Sequence, residues 1–185
     1  MFYSKPTKNE DGLYIVKAYT DDKKKYFVSV KGKAVYNTDE ITFTIEDDSK
    51  IREVDTVNIE AAAHHSEEWF GKKLPLEMLE RVYTKSVIDS QVTADIISAT
   101  KVFNYTKDVV ELGTLCEGAE TRTLLEFAGL WFAKKAYGPI WNVVQVRDMT
   151  QPEVEPEVEV EPEPEVEAEP EVEEYPDEYV IGDDE

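Results

Sequence analysis

The first residues to test are those whose types could do chemistry. His64-His65 followed by Glu67-Glu68 places metal-ligating side chains in one short run. Neighbours on a helix point about 100° apart, so both imidazoles cannot face one ion from that site, and packing on the surface or between helices is the expectation. Cys116 is the single cysteine, which excludes a disulfide framework and a Cys-based zinc site. It has no histidine close in sequence and reads as a buried, inert thiol. GxGxxG, GxxxxGK[ST] and GxSxG are all absent. With two histidines and no carboxylate pair that stands out as an acid–base dyad, the sequence points away from an enzyme and calls for no metal or cofactor.

Binding chemistry is better represented. Lys23, Lys24 and Lys25 run into Tyr26 and Phe27 and continue to Lys31, Lys33 and Tyr36. A second cluster gathers Trp131, Phe132, Lys134, Lys135, Tyr137 and Trp141, with Arg147 farther along. Lysines that follow a phosphate backbone, and aromatic rings that stack on unpaired bases, are the ingredients of single-strand binding. Phe103 and Tyr105 are further stacking candidates. Lys-rich turns are also common solvated loops, and a Trp such as Trp131 or Trp141 is more often core than platform. At most one of the two needs to face a groove.

The elements that position these residues read as mainly β. Leu13–Tyr19, Tyr26–Val30 and Ile41–Ile45 have the β-branched, aromatic and alternating character of strands. Lys31-Gly32-Lys33 reads as a turn into Ala34–Tyr36, and Asn37–Glu40 as another. Residues 54–71 form a helix closed by Gly71, and Pro75 opens a second helix over Leu76–Asp89. Strands return at Lys101–Tyr105 and Val109–Leu112. Thr121–Ala133 and Ile140–Val146 flank a loop from Lys134 to Pro139, a long final hairpin. Several strands with a two-helix insertion at about 50–90 fit an OB-like Greek-key barrel, an α+β domain over residues 1–149, with its helix expected between the third and fourth strands.

Charge divides the chain in two. All 20 basic residues and 24 of the 41 acidic ones lie in residues 1–149, for a net of −4; residues 150–185 carry 17 acids and no base. Six of the nine prolines lie in this second part, whose Pro/Glu/Val repeat suits a disordered, extended tail. Such a tail could be a solubility element, a mimic of the nucleic-acid backbone that competes for a basic groove, or a hook for basic partners. Its last stretch differs, with Tyr175, Tyr179, Val180 and Ile181 set among acids and ending in Asp183, Asp184 and Glu185, and reads as a docking peptide. No signal-peptide pattern and no apolar run near 20 residues occurs, so the expectation is a soluble, intracellular protein without a membrane partner.

The segments GLWFAKKAYGPIWNVVQVR (Gly129–Arg147) and SEEWFGKKLPLEML (Ser66–Leu79) resemble the OB-fold single-stranded DNA-binding proteins of large nucleocytoplasmic DNA viruses, similar to the acidic-tailed phage gene 2.5-type proteins. The resemblance implies coating of single strands in DNA replication, recombination or repair. It also implies recruitment of polymerase or primase-helicase through the tail, in a host nucleus or cytoplasmic virus factory, with a homodimer left open. The phage relatives end in an aromatic residue after their acids, whereas this chain ends Asp183-Asp184-Glu185. Two other readings remain: an acidic chaperone or scaffold that binds basic proteins, and a virion assembly protein.

Overall fold

A computed structural model of the chain describes residues 1–9 and 12–151. The acidic repeat and the terminal stretch from Tyr175 to Glu185 lie outside the described residues.

The described chain runs β1 (Phe2–Tyr3), β2 (Thr7–Lys8), β3 (Tyr14–Tyr19), β4 (Tyr26–Tyr36), β5 (Glu40–Ile45), α1 (Ser49–His64), α2 (Ser66–Phe70), α3 (Leu76–Val82), β6 (Val87–Ile88), β7 (Gln91–Phe103), β8 (Val109–Val110), β9 (Ala119–Phe132) and β10 (Tyr137–Asp148). Five of these strands close a ring in the order β4-β5-β7-β10-β9 and back to β4. β7 and β10 run parallel; the other four pairings in the ring are antiparallel. This is an OB-like barrel with a helical insertion. The insertion falls between the second and third barrel strands, not between the third and fourth as expected from the sequence.

Alternation along the strands fills the barrel. Val28, Val30 and Ala34 of β4, Ile41, Phe43 and Ile45 of β5, and Leu125 and Phe127 of β9 are all buried in one core with Val143 and Val146. Helix α1 presents Ile51, Val54, Asn58 and Ala62 at helical spacing to that core. Outside the barrel, Phe27, Leu124 and Val144 form a separate small apolar cluster.

Several boundaries differ from the sequence reading. Lys31-Gly32-Lys33 is strand, part of an unbroken β4. Gly32 serves close approach there: a Cβ would lie 2.3 Å from the Thr44 carbonyl oxygen on β5. The helix expected over Leu76–Asp89 ends at Val82, because Tyr83 is extended and bridges Tyr137; Asp89 and Ser90 take positive φ (50° and 62°) in the tight turn between β6 and β7. The strand expected from Lys101 begins ten residues earlier, at Gln91. The helical insertion contains three helices, since the chain breaks at His65. Cys116 is exposed, on the loop that leads into the Gly118 turn, and is not the buried thiol expected.

β9 serves two partners in succession. Its first part pairs with β4 from Ala34↔Ala119 to Tyr26↔Phe127, and its last part pairs with β3 from Lys17↔Gly129 to Tyr14↔Phe132. Gly129 marks the switch. Its φ is +146°, and a Cβ there would lie 2.0 Å from the Val16 carbonyl oxygen.

Candidate nucleic-acid interface

The ladder register brings basic side chains from different strands together. Lys31 on β4 lies opposite Arg122 on β9, and Arg122 lies opposite Arg147 on β10. These residues alternate with the core positions Val30, Thr123 and Val146, so all three leave the barrel on its outer side. Lys101 on β7 is in register with Gln145, beside the same row. Like charges directly opposite on adjacent strands repel, so the exposed Lys31 and the half-buried Arg122 favour an anion laid across them. Lys31, Gly32, Lys33 and Arg122 line a cleft of about 490 Å³ together with Thr44, Glu46 and Glu120.

Arg147 is 7% exposed. Its guanidinium donates to the Tyr105 carbonyl oxygen at 2.9 Å and lies 5.9 Å from the Tyr105 ring centroid. Tyr105 is thereby held at the end of the basic row, half-buried. The chain reaches the last described residue at the same place, where the Gln151 amide donates to the Tyr105 hydroxyl at 3.0 Å. Phe103 is opposite Arg147 and 3% exposed. Lys25 pairs with Glu126 at 3.6 Å on the outer side of β9.

The hairpin residues stand elsewhere. The turn between β9 and β10 closes one end of a groove of about 710 Å³ that also contains Tyr14, Trp69, Phe70, Lys72 and Met78. Its floor is aromatic: Phe132 stacks on Tyr137 at 5.7 Å, and Phe70 meets both edge-on at 5.4 Å. Lys134 and Lys135 stand at the rim. Lys23 and Lys24 are exposed in the turn before β4 and do not line this groove, so the two lysine turns expected to rim one groove open onto different places. Tyr26 is half-buried against the core beside α1, and Tyr36 is exposed at the end of β4. Trp141 and Tyr137 are 3% and 0% exposed, so neither ring offers a face to a base in this structure. Trp131 is half-buried, on the outer side of β9.

Arg122, Lys101, Trp69, Phe70 and Lys72 are the residues that sequence reading missed. One signal was available for three of them: Trp69-Phe70-Gly71-Lys72-Lys73 and Trp131-Phe132-Ala133-Lys134-Lys135 are near-copies, and the fold brings Phe70 and Phe132 into contact. The two histidines belong to aromatic packing, with His65 stacked on Trp69 at 5.0 Å and His64 edge-on to His65 at 5.3 Å.

A family model matches residues 28–161, which takes in the closed barrel from Val28 of β4 onward. The chain belongs to DUF5871, a family of unknown function. Among curated proteins none matches the sequence. The solved single-stranded DNA-binding protein from bacteriophage Enc34 is similar to this DUF5871 chain at 10% identity, with a TM-score of 0.45 over 87% of this chain and 97% of that one. Its complex with single-stranded DNA gives a TM-score of 0.44, also at 10% identity, over 80% and 96% of the two chains. No helix among the described residues is long and apolar enough to cross a membrane.

Proposed function

We propose that this protein binds single-stranded DNA along the outer barrel face of β4, β9, β10 and β7, and serves replication, recombination or repair. The observation that carries the reading is the Lys31–Arg122–Arg147 row in direct register, with Lys33 and Lys101 beside it and Tyr105 at its end. Lys31, Lys33, Arg122 and Lys101 take phosphates, the buried Arg147 holds Tyr105 in place, and Tyr105 offers a ring for one base. A domain with a net of −4 needs its positive charge concentrated in this way, because scattered carboxylates are screened within about 8–10 Å.

The acidic repeat competes for the same face in this reading. It leaves the fold beside Tyr105 and carries no base to repel the row. Replication proteins such as a polymerase or primase-helicase are the partners proposed for the tail once DNA has displaced it. A fluorescent oligo-dT titration tests both parts. Binding is expected to be salt-sensitive, and each phosphate-contacting lysine lost should reduce the log–log salt slope by about 0.7. Deleting residues 152–185 should tighten binding at low salt, and the advantage should narrow as salt rises. Salt-independent binding, or none, would favour the chaperone or assembly readings.

A further inference from the structure

The aromatic groove at the β9–β10 turn differs from the basic face in chemistry, and the proposed DNA site leaves it unused. Leu13, Tyr14 and Met78, with 40%, 53% and 48% of their surface exposed, stand along it. Leu74, Val82, Phe70 and Phe132 add apolar wall and floor, while the charged residues lining it are Lys72, Lys134 and Lys135. No acidic residue is among the described lining. The Tyr137 hydroxyl is buried in the floor without a hydrogen-bond partner, and burial holds its pKa above the usual tyrosine range.

The geometry points to one occupant: the chain's own terminal segment, Tyr175 to Glu185. That segment pairs the apolar Tyr175, Tyr179, Val180 and Ile181 with Asp177, Glu178, Asp183, Asp184 and Glu185. Its rings and aliphatic side chains match the groove floor, and its carboxylates match the three rim lysines. The Pro/Glu/Val repeat has the charge but no aromatic residue. Reach is ample. From Gln151 the segment is separated by residues 152–174, which at about 3 Å per residue in polyproline II span on the order of 70 Å. A domain of about 150 residues has a radius of gyration of about 15 Å. The repeat and the terminal segment therefore have different seats, the basic face for one and the groove for the other. The groove assignment does not depend on DNA binding.

The test uses the full chain without DNA. In the receptor, Tyr175, Tyr179, Val180 and Ile181 are each changed to Ala, which empties the groove of its own segment. A fluorescein-labelled peptide of sequence YPDEYVIGDDE is then titrated into it. The peptide should bind this variant and bind the wild-type chain at least tenfold more weakly, because a tethered segment competes at about millimolar effective concentration. Adding Lys134→Glu and Lys135→Glu should abolish binding. A peptide from the repeat, PEVEPEVEVEP, should not bind. The assignment is overturned if the terminal peptide fails to bind the emptied chain, if the repeat peptide binds equally, or if wild type and variant take up the peptide alike. A failed oligo-dT titration with intact peptide binding would sink the DNA reading alone.

Discussion

β9 builds both regions, and it builds them differently. Its first part carries Arg122 outward between Lys31 and Arg147, so cations on the barrel face are fixed by strand register. Beyond Gly129 the same strand pairs with β3 and delivers Phe132 to a groove whose lysines sit on turns. On the barrel face, charge is rigidly spaced, and Phe27, Leu124 and Val144 pack as a small separate apolar cluster. In the groove, apolar surface is continuous and the charge is at the rim. Rigidly spaced cations suit a regular polyanion; an apolar trough with flexible cations suits a peptide that brings side chains and acids together.

The largest effect should come from breaking the junction that separates the regions. Gly129→Val puts a branched side chain where even a Cβ meets the Val16 carbonyl oxygen at 2.0 Å, in a backbone conformation that L-residues avoid. We expect a loss of about 3 kcal/mol or more in urea denaturation, with β3 released from β9 and both binding activities impaired together. Near-wild-type stability would mean that β3 shifts freely and is not what holds Tyr14 over the groove.

Charge reversal should separate the two regions. Lys31→Glu with Lys33→Glu is expected to weaken oligo-dT binding at least tenfold and leave peptide binding intact. Lys134→Glu with Lys135→Glu should do the opposite. Both lysine pairs are exposed, so melting temperatures should change little. If the hairpin pair weakens DNA binding as strongly as the strand pair, the two regions form one extended DNA path.

Much of this was legible in the sequence, and the gaps have physical causes. The barrel followed from alternating strands and a long hairpin, because period-2 patterning survives in any antiparallel strand that buries one face. The β7 start was missed because Gln91–Thr100 mixes small and polar residues, with Thr93 and Asp95 outward and Ile96 only half-buried. Lys31-Gly32-Lys33 read as a turn because glycine signals both sharp bends and close strand approach, and only the neighbouring Thr44 decides which. Trp141 and Tyr137 looked like stacking platforms because ring type does not reveal which side of a strand it leaves. Arg122 was invisible as a site residue, since its importance arises from two cross-strand neighbours far away in sequence.

The smallest expected effect concerns the polar network that anchors α1 behind both regions. Asp55 accepts hydrogen bonds from the Tyr83 hydroxyl at 2.7 Å and the Ser86 amide at 2.9 Å, while the Trp141 indole donates to the Ser86 hydroxyl at 2.8 Å. Burial raises the Asp55 pKa above its ordinary 3.8, and the donors from Ser86 and Tyr83 only partly oppose this. The native state therefore holds a proton on Asp55 over a pH range in which the unfolded chain has released it. Stability from this group is fully present below about pH 3.8 and is lost as pH rises through the folded pKa. Each unit by which the pKa is raised corresponds to about 1.4 kcal/mol. Asp55→Asn removes the titration, so the stability of wild type relative to the variant should fall from pH 4 upward and become flat once Asp55 is ionised in both states. Neither proposed site contains Asp55, and oligo-dT and peptide affinities of the variant should follow wild type across that range. A wild-type advantage that grows with pH would show that the donors outweigh burial and that the carboxylate, not the acid, is the form the fold prefers.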